Sequence, residues 1–302
     1  PPEEENIGLS VVVPAYNEEL RLPIMLDAAF SYLDSWAFAH GNTFEIVVVD
    51  DGSADDTPGI VAKYMESRPN QIRLLRLHSN RGKGAALKIG VRESSGNVVL
   101  IADADAATDI RDLDRLLPAL YSAAGVEKGS DREIANGLGF VVGSRAHLAK
   151  DSISTRAFYR TVLMKGFHLY VQLLVTSSVE DTQCGFKLFT RRAAKALFGN
   201  LHLYRWAFDT ELIFLAEWLH IPIAEVAVNW HEVDGSKLIK SKLDVVTTSI
   251  TMARDILCMR LSYLLHLWET PTIFTDKEDS PSKVTSKLPL KQGVNEEPEK
   301  EL

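Results

Sequence analysis

The sequence of 302 residues is poor in cysteine, has no excess of basic residues and has no long uncharged segment. Its two cysteines, Cys184 and Cys258, stand too far apart in the chain to form a CxxC pair or a local metal site. So low a number is typical of a reducing compartment. The formal net charge of −8 argues against a nucleic-acid-binding protein, because no basic field is available to attract a phosphate backbone.

The longest stretch without Asp, Glu, Lys or Arg is residues 166–179, which is 14 residues long. A membrane-spanning helix needs ~20 apolar residues, so these 302 residues predict no spanning helix. The overall composition, 46% hydrophobic and 25% charged, is that of an ordinary globular protein.

What the sequence does contain is an alternation of short aliphatic runs and helical stretches in its first 145 residues. The runs "LSVVVP", "FEIVVVD", "IRLLRL" and "NVVLIAD" mostly lack strict polar–apolar alternation, which is typical of strands buried on both faces of a parallel sheet. Helical patterns over residues 18–39, 57–67 and 83–93 separate the runs. This order predicts an α/β protein with a doubly wound, mostly parallel sheet.

The second half continues with another strand, "GFVVGSR", then helical patterns near residues 191–197 and 209–219 and a strand near 223–230. A last helical region covers about residues 243–268. The segment "RAFYRTVLMKGFHLYVQLLV" mixes basic, aromatic and aliphatic residues, which suits either an interfacial helix or a core helix with a solvated basic edge. The end of the chain is rich in acids, lysine and proline and predicts a flexible tail.

Polar residues follow several of the predicted strands at their carboxyl ends, where a doubly wound sheet binds its ligands. In "VLIADADAAT", Asp103 and Asp105 follow a strand with one alanine between them. Two such carboxylates either cap the next helix or hold a hard divalent cation against a diphosphate. The loops "PAYNEE", "VDDGSADDT" and "NRGKGAA" reach the same edge, and together they favour a site for a nucleotide and its phosphates.

These loops carry a resemblance. The stretches "VVVPAYNEE", "VVVDDGSADDT", "NRGKGAA" and "ADADAAT" resemble the nucleotide-sugar half of a family 2 glycosyltransferase with the GT-A fold. The later stretches "DTQCGFKLFTRRAA", "RWAFDTELIFLAE" and "IPIAEVAVNWHEVDGSKL" resemble the members of this family that glucosylate dolichyl phosphate. The resemblance covers about residues 8–268 and leaves the tail outside it.

The resemblance implies an organisation for the whole chain. Residues 8–235 would form the GT-A catalytic domain, a Rossmann-like doubly wound, mostly parallel sheet flanked by helices. Residues 236–270 would form a C-terminal region of amphipathic helices next to the membrane, and residues 271–302 the flexible tail. Because relatives usually carry an N-terminal membrane helix, we expect residues 1–7 to be a leader that has lost such an anchor.

The resemblance also implies roles for individual residues. Asp103 and Asp105 would hold Mg²⁺ or Mn²⁺, with Asp105 in direct contact. Related polyprenol enzymes carry a Gln ligand where this chain has Ala107, so water, diphosphate or another side chain would complete the metal shell. Either Asp50 or Asp51 would face the uridine. The residues expected around the nucleotide sugar are Pro14, Tyr16, Asn17, Glu18, Asp50, Asp51, Lys83, Asp103, Ser236 and Lys237.

For the acceptor, Arg145 resembles a phosphate-contacting arginine, and Arg156 and Arg160 are further candidates for the lipid phosphate. The residues expected to take part in catalysis are Asp103, Asp105, Asp209 and Arg145. Asp209 and Glu211 would either orient sugar hydroxyls or hold the arginine and lysine side chains in place. A phosphate acceptor is already charged at neutral pH and needs no general base, so we expect a single displacement with inversion.

The activity implied is transfer of glucose from UDP-glucose to dolichyl phosphate, which gives dolichyl β-D-glucosyl phosphate for N-glycan assembly. Its expected place is the cytosolic face of the endoplasmic reticulum membrane, in contact with the membrane surface. Alternatives are a mannosyl version that uses GDP-mannose, a bacterial-type enzyme acting on undecaprenyl phosphate, and a non-catalytic nucleotide-sugar-binding protein. The oligomeric state is open, and a homodimer is compatible with the sequence.

Overall fold

The computed structural model describes residues 7–127, 131–148, 166, 170–176, 178–233 and 242–273. Their centre is a seven-stranded sheet with the strand order β3-β2-β1-β4-β6-β5-β7. The strands are β1 (Leu9–Ala15), β2 (Phe44–Asp50), β3 (Ile72–Arg76), β4 (Val98–Ile101), β5 (Phe140–Ser144), β6 (Lys187–Thr190) and β7 (Ile223–Ala227).

Helices cover both faces of this sheet. They are α1 (Leu22–His40), α2 (Thr57–Ser67), α3 (Lys83–Glu93), α4 (Leu113–Ala124), α5 (Asp131–Asn136), α6 (Arg191–Gly199), α7 (Phe208–Trp218) and α8 (Lys242–Leu264). Residues 170–174 are also helical.

The sheet is mostly parallel, as the sequence predicts. β1 pairs in parallel with β2 and β4, β2 with β3, and β5 with β7. β6 is antiparallel to both of its neighbours, β4 and β5. The first residue of β6, Lys187, therefore lies beside Ile101, the last residue of β4. This places the amino end of β6 at the edge where the parallel strands end.

Two apolar layers hold the sheet between the helices. Val11 and Val13 of β1 belong to the layer under α1, α2 and α4, whereas Val12 points into the layer formed with α3, α6 and α7. All seven residues of β2 are buried, which explains why its sequence shows no polar alternation. Burial on both faces fixes the sheet and thereby fixes the edge at which its loops meet.

The predicted element bounds agree closely with the structure for α2, α3 and β2. α1 begins at Leu22 rather than near residue 18, because the backbone of the preceding loop is hydrogen-bonded to the loop after β2. Within the described residues, no helix combines the length and the apolar character needed to cross a membrane. Residues 1–6, 274–302 and most of the amphipathic segment lie outside the described part of the chain, and the domain limits stay predictions.

Candidate active site

The loops after β1 and β2 are tied together by hydrogen bonds from backbone amides to side-chain oxygens. The Asn17 amide donates to Ser53 Oγ at 2.9 Å, and Asn17 Oδ1 accepts from the Ala54 amide at 2.8 Å. The Glu18 amide donates to Thr57 Oγ1 at 2.8 Å. Asn17 has φ 57°, a left-handed conformation that asparagine tolerates better than most residues. These bonds hold Pro14, Tyr16, Asn17 and Glu18 at the carboxyl end of β1, and their contact with a nucleotide stays a prediction.

The two acids after β2 are buried and held by backbone amides. Asp51 accepts from the amides of Arg81 and Gly82 at 2.8 and 2.9 Å. Asp50 Oδ1 accepts from the Ser53 amide at 3.0 Å, and its Oδ2 lies 3.3 Å from Arg76 Nε. Burial raises the pKa of Asp51, although the two amide hydrogen bonds act to lower it. The carboxylate of Asp51 fixes the loop before α3, and a contact with uridine would use its remaining acceptor capacity.

Gly52 allows this close approach between the two loops. Its φ is 77°, and a Cβ atom at this position would lie 2.8 Å from the backbone of Ser79. An L-residue side chain would therefore meet both steric and conformational strain. The "DDGS" sequence thus brings the loop that carries Lys83 onto the end of β2.

Asp103 forms an ion pair with Lys83 across the sheet edge, with Lys83 Nζ 2.5 Å from Asp103 Oδ1. Burial acts to raise the pKa of Asp103, but the Lys83 ammonium outweighs it, with help from Lys187 and Arg145, and holds the pKa below its usual range. On its other side, Asp103 lies against Gly185, where an added Cβ atom would clash with Asp103 Oδ2. The first acid of the DxD sequence is therefore ionised and confined.

Asp105 has a less exposed side chain than Asp103, 28% against 37%, but weaker partners among the described residues. Its Oδ1 accepts from the Ala107 amide at 3.0 Å, and its Oδ2 is 3.8 Å from the guanidinium of Arg21. Arg21 is itself paired with Glu18. The backbone turns through the left-handed region at Ala106, with φ 59°, and the loop is fixed by a β-bridge between Thr108 and Trp230.

The two acids suit a hard divalent cation. Their oxygens are the ligand type that Mg²⁺ and Mn²⁺ prefer, and among the described residues Oδ2 of Asp105 has one partner, the distant Arg21 at 3.8 Å. In the described part of the chain, no group of three or more Asp, Glu, His or Cys side chains forms a complete cage. Asp103 and Asp105 would therefore hold the ion together with substrate or water oxygens.

Arg145, just after the end of β5, is held by Asp181. Its Nε and Nη2 donate to the two oxygens of Asp181 at 2.7 and 2.9 Å, and its guanidinium lies 5.5 Å from the ring centre of Trp230. Burial acts to lower the pKa of Arg145, but the Asp181 ion pair outweighs it and raises the pKa. Arg145 is thus a fixed cation at the site edge, and its contact with phosphate stays a prediction.

Asp209 and Glu211 lie on the same helix, α7, but in different surroundings. Asp209 Oδ1 is 2.5 Å from Lys187 Nζ, so it holds a lysine as one of the two expected alternatives proposes. Glu211 is fully buried and accepts from the amides of His202 and Leu203 and from the Tyr263 hydroxyl. The sequence left open which of the two acids orients a sugar hydroxyl, and these contacts disfavour Glu211, because its oxygens are already used inside the fold.

Three residues that sequence reasoning did not single out complete this edge. They are Asp181, Gly185 and Lys187, all in the stretch "DTQCGFKLF". A lysine between apolar neighbours in a strand was the available signal for a buried charge. Four residues of the expected site, Arg156, Arg160, Ser236 and Lys237, lie outside the described residues.

A cavity of about 900 Å³ opens beside Asp103. It runs between α1 and the loop after β4, and Trp230 and His231 border it on the other side. Of the residues expected at the site, Asp103 lines this cavity, whereas Tyr16, Asp51 and Lys83 do not. The cavity therefore adjoins the DxD sequence from the side of α1 and does not extend over the predicted nucleotide loops.

Comparison with known proteins identifies relatives of this chain. The chain is 48% identical over 268 residues to "Dolichyl-phosphate beta-glucosyltransferase" of Dictyostelium discoideum, which covers 88% of this chain and 77% of that protein. It is 46% identical over 268 residues to the Homo sapiens protein of the same name, covering 86% and 77%.

Among solved structures, mannosyl-3-phosphoglycerate synthase from Rubrobacter xylanophilus has a TM-score of 0.55 at 17% identity, covering 89% of this chain and 78% of that chain. This likeness supports the fold alone. The family described as "Glycosyl transferase family 2" matches residues 10–198, a range that includes β1 to β6 and both acids of the DxD sequence. With the family match and the close relatives together, the chain belongs to glycosyl transferase family 2.

Proposed function

We propose that this chain transfers glucose from UDP-glucose to dolichyl phosphate, releasing UDP and forming dolichyl β-D-glucosyl phosphate. The observation that carries the proposal is the identity of 46–48% to two proteins named for this activity, over 86–88% of the chain. The charged edge around Asp103 agrees with it, because a donor with a diphosphate needs cations and a carboxylate-held metal there.

The reaction would be a single displacement. An oxygen of the lipid phosphate forms a bond to the anomeric carbon of glucose, while the bond from that carbon to the UDP oxygen breaks and UDP takes the electron pair. The α-linked donor then gives a β-linked product. Because the acceptor phosphate carries about 1.5 to 2 negative charges at neutral pH, no protein base has to remove a proton from it.

The chain would act by binding and orientation. Asp105 and Asp103 would hold Mg²⁺ or Mn²⁺, which supplies Lewis-acid stabilisation of the UDP leaving group when it is bound. Lys83 and Arg145 place two further cations at the same edge, at the positions fixed by Asp103 and Asp181. These cations favour binding of the donor diphosphate and of the acceptor phosphate.

We also propose that the acceptor is met at a membrane surface, on the cytosolic face of the endoplasmic reticulum. The support is chemical: a long polyisoprenyl phosphate partitions into a bilayer, so an enzyme that uses it has to reach the headgroup region. α8 offers apolar side chains for such a surface, since Ile250, Leu257 and Leu261 are exposed.

The test is transfer of radiolabelled sugar to a short dolichyl phosphate by the purified chain. Four reactions are compared: UDP-glucose with Mg²⁺ or Mn²⁺, UDP-glucose with a chelator, GDP-mannose with metal, and UDP-glucose with dolichol in place of dolichyl phosphate. We expect labelled lipid only in the first. Transfer from GDP-mannose alone would replace the donor, and transfer to dolichol would contradict the mechanism without a base.

A further inference from the structure

The ammonium group of Lys187 is completely buried at the first residue of β6. It has three acceptors: the carbonyl oxygen of Thr182 at 3.3 Å, that of Cys184 at 2.5 Å, and Asp209 Oδ1 at 2.5 Å. A lysine ammonium has three donors, so this environment satisfies all of them. The mechanism above assigns no role to this buried pair.

Lys187 reaches the DxD sequence through Gly185. The two carbonyl groups that it holds belong to the turn just before Gly185, and the backbone of Gly185 lies against the carboxylate of Asp103. A single added Cβ atom at Gly185 would clash with Asp103 Oδ2. The position of this turn therefore limits where the Asp103 carboxylate can lie.

Asp209 acts on the Asp103 carboxylate indirectly, by attracting Lys83. The Lys83 ammonium lies 5.9 Å from the ring centre of Phe208, the residue before Asp209 on α7, and its side chain is only 22% exposed. Asp209 attracts it as well as Asp103 does. The charge on Asp209 therefore helps to keep Lys83 at the sheet edge, where its Nζ is 2.5 Å from Asp103 Oδ1. Asp209 itself is 5% exposed and bound to Lys187, so it has little surface to offer a sugar.

We propose that Lys187 and Asp209 form a buried ion pair whose role is to position the Asp103 carboxylate for the metal and diphosphate of the donor. Lys187 acts through the turn at Gly185, and Asp209 acts through Lys83. Both are positioning residues, not groups that touch the substrate. The inference rests on the proposed function, because that function gives Asp103 its ligand.

The test separates the two routes by direct binding. The affinity for UDP in the presence of Mn²⁺ is measured by calorimetry, beside thermal unfolding, for the parent chain, Lys187→Met, Asp209→Asn and the double variant. Asn keeps the acceptor for Lys187 but removes the charge that attracts Lys83. We expect each single variant to bind UDP with Mn²⁺ roughly 10- to 100-fold more weakly, as is usual when the support of a metal ligand is removed.

The double variant distinguishes positioning from stability. It restores the charge balance of the buried pair, so its unfolding temperature should rise above that of Lys187→Met. The double variant still lacks the hydrogen bonds from Lys187 to the turn and the charge that attracts Lys83. Its affinity for UDP in the presence of Mn²⁺ should therefore stay low. Recovery of both binding and unfolding temperature to the parent values would show a merely structural role and overturn the proposal.

A matched pair of glycine variants tests the turn without touching a charge. Gly185→Ala should displace the Asp103 carboxylate and weaken UDP binding in the presence of Mn²⁺ at least about tenfold. Gly137→Ala is the control, because its Cβ atom would meet its nearest neighbour, Ala124 Cβ, only at 3.2 Å and it precedes the opposite end of β5. If Lys187→Met fails to fold, Asp209→Asn and Gly185→Ala carry the test.

Parent-like affinity, within about twofold, in folded Asp209→Asn and Gly185→Ala contradicts the inference. The outcome is distinguishable from failure of the proposed function. A parent chain that binds UDP with Mn²⁺ but glucosylates no lipid contradicts the function alone, and the variants still test positioning. A parent chain that neither binds UDP with Mn²⁺ nor glucosylates lipid contradicts both the proposed function and the inference.

Discussion

The acids after β2 and the acids after β4 lie at the same edge of the sheet, yet they are held differently. Asp51 accepts hydrogen bonds from two backbone amides. Asp103 instead faces the side-chain cation of Lys83, 2.5 Å away. Asp50 and Asp105 are intermediate, because each combines one amide donor with one nearby cation. A backbone amide cannot leave without moving the loop, whereas a lysine or arginine side chain can turn to another anion.

Under the proposed function, this difference suits separate tasks for the two loops. Asp51 keeps the loops rigid, which suits recognition of a flat base by shape and hydrogen bonds. Asp103 would exchange its lysine partner for a metal ion and a diphosphate that arrive with each donor and leave with each product. The following predictions test the comparison from the largest expected effect to the smallest.

Removing the second acid of the DxD sequence should abolish transfer without unfolding the chain. For Asp105→Ala we expect glucosyl transfer to fall about 100-fold or more, because the charge that stabilises the leaving group loses its holder. The unfolding temperature should change little, since within the described part of the chain the Asp105 carboxylate has one short hydrogen bond, to the Ala107 amide. Steady-state kinetics and calorimetry measure the two effects, and an active Asp105→Ala variant would refute the assignment.

Removing the acid held by two backbone amides should instead lower the stability of the fold. Asp51→Ala leaves the amides of Arg81 and Gly82 without their acceptor, and we expect the free energy of unfolding to fall by about 2–4 kcal/mol. Urea denaturation measures it. Lys63→Ala is the control, because its side chain is 71% exposed and its ammonium lies 3.9 Å from Asp56. Equal stability of the two variants would contradict the claim that Asp51 fixes the loop before α3.

The neighbouring acids on α7 sharpen the same comparison. Glu211→Gln should lower the free energy of unfolding by about 1–3 kcal/mol, because it replaces a carboxylate that accepts from two amides and a hydroxyl. Its KM for UDP-glucose should stay within about twofold of the parent value, since Glu211 lies inside the fold. A large rise in KM would indicate that Glu211 contacts the substrate and would contradict its purely structural role.

The smallest expected effect is a pH dependence of the unfolding free energy, which comes from the Asp181 carboxylate beside Arg145. Burial acts to raise the pKa of Asp181, but its ion pair with Arg145 outweighs it and lowers the pKa. A lowered pKa contributes stability that is present above the unfolded value, near pH 4, and is lost as pH falls through the folded value. The stability difference between the parent and Asp181→Asn should therefore be constant near neutrality and shrink below about pH 4.

Urea denaturation from about pH 7 down to about pH 3 measures this difference. Asp34→Asn is the control, because Asp34 pairs with Arg68 at the surface and contributes little. A difference for Asp181→Asn that grows as the pH falls would reverse the sign and contradict stabilisation of the Asp181 carboxylate by Arg145.

The local parts of this architecture could be predicted from the sequence. The unbroken apolar runs of β1 and β2 and the bounds of α2 and α3 follow from pattern and composition, and the βα order places Asp51 and Asp103 at one edge. The long-range parts could not. A pattern reads Lys187 as a strand residue at the surface, because its partner Asp209 is 22 residues away and β6 enters the sheet antiparallel.

The same limit explains why the sequence left the roles of Asp209 and Glu211 open. Asp209 and Glu211 are separated by one residue in "FDTEL", and nothing local distinguishes two acids at the start of a helix. The packing of α7 against residues 202–203 and Tyr263 decides which carboxylate meets backbone amides and which meets Lys187. Such choices depend on contacts between elements, which one sequence does not reveal.

The most direct test of the proposed reaction is the anomeric configuration of the lipid product made by the purified chain from UDP-glucose and dolichyl phosphate. Proton NMR of the isolated glucosyl lipid, or its cleavage by glucosidases of known specificity, gives the answer. A single displacement predicts a β-linked glucose, because the lipid phosphate displaces UDP from an α-linked donor in one step. An α-linked product would contradict it, since a single in-line displacement inverts the anomeric carbon.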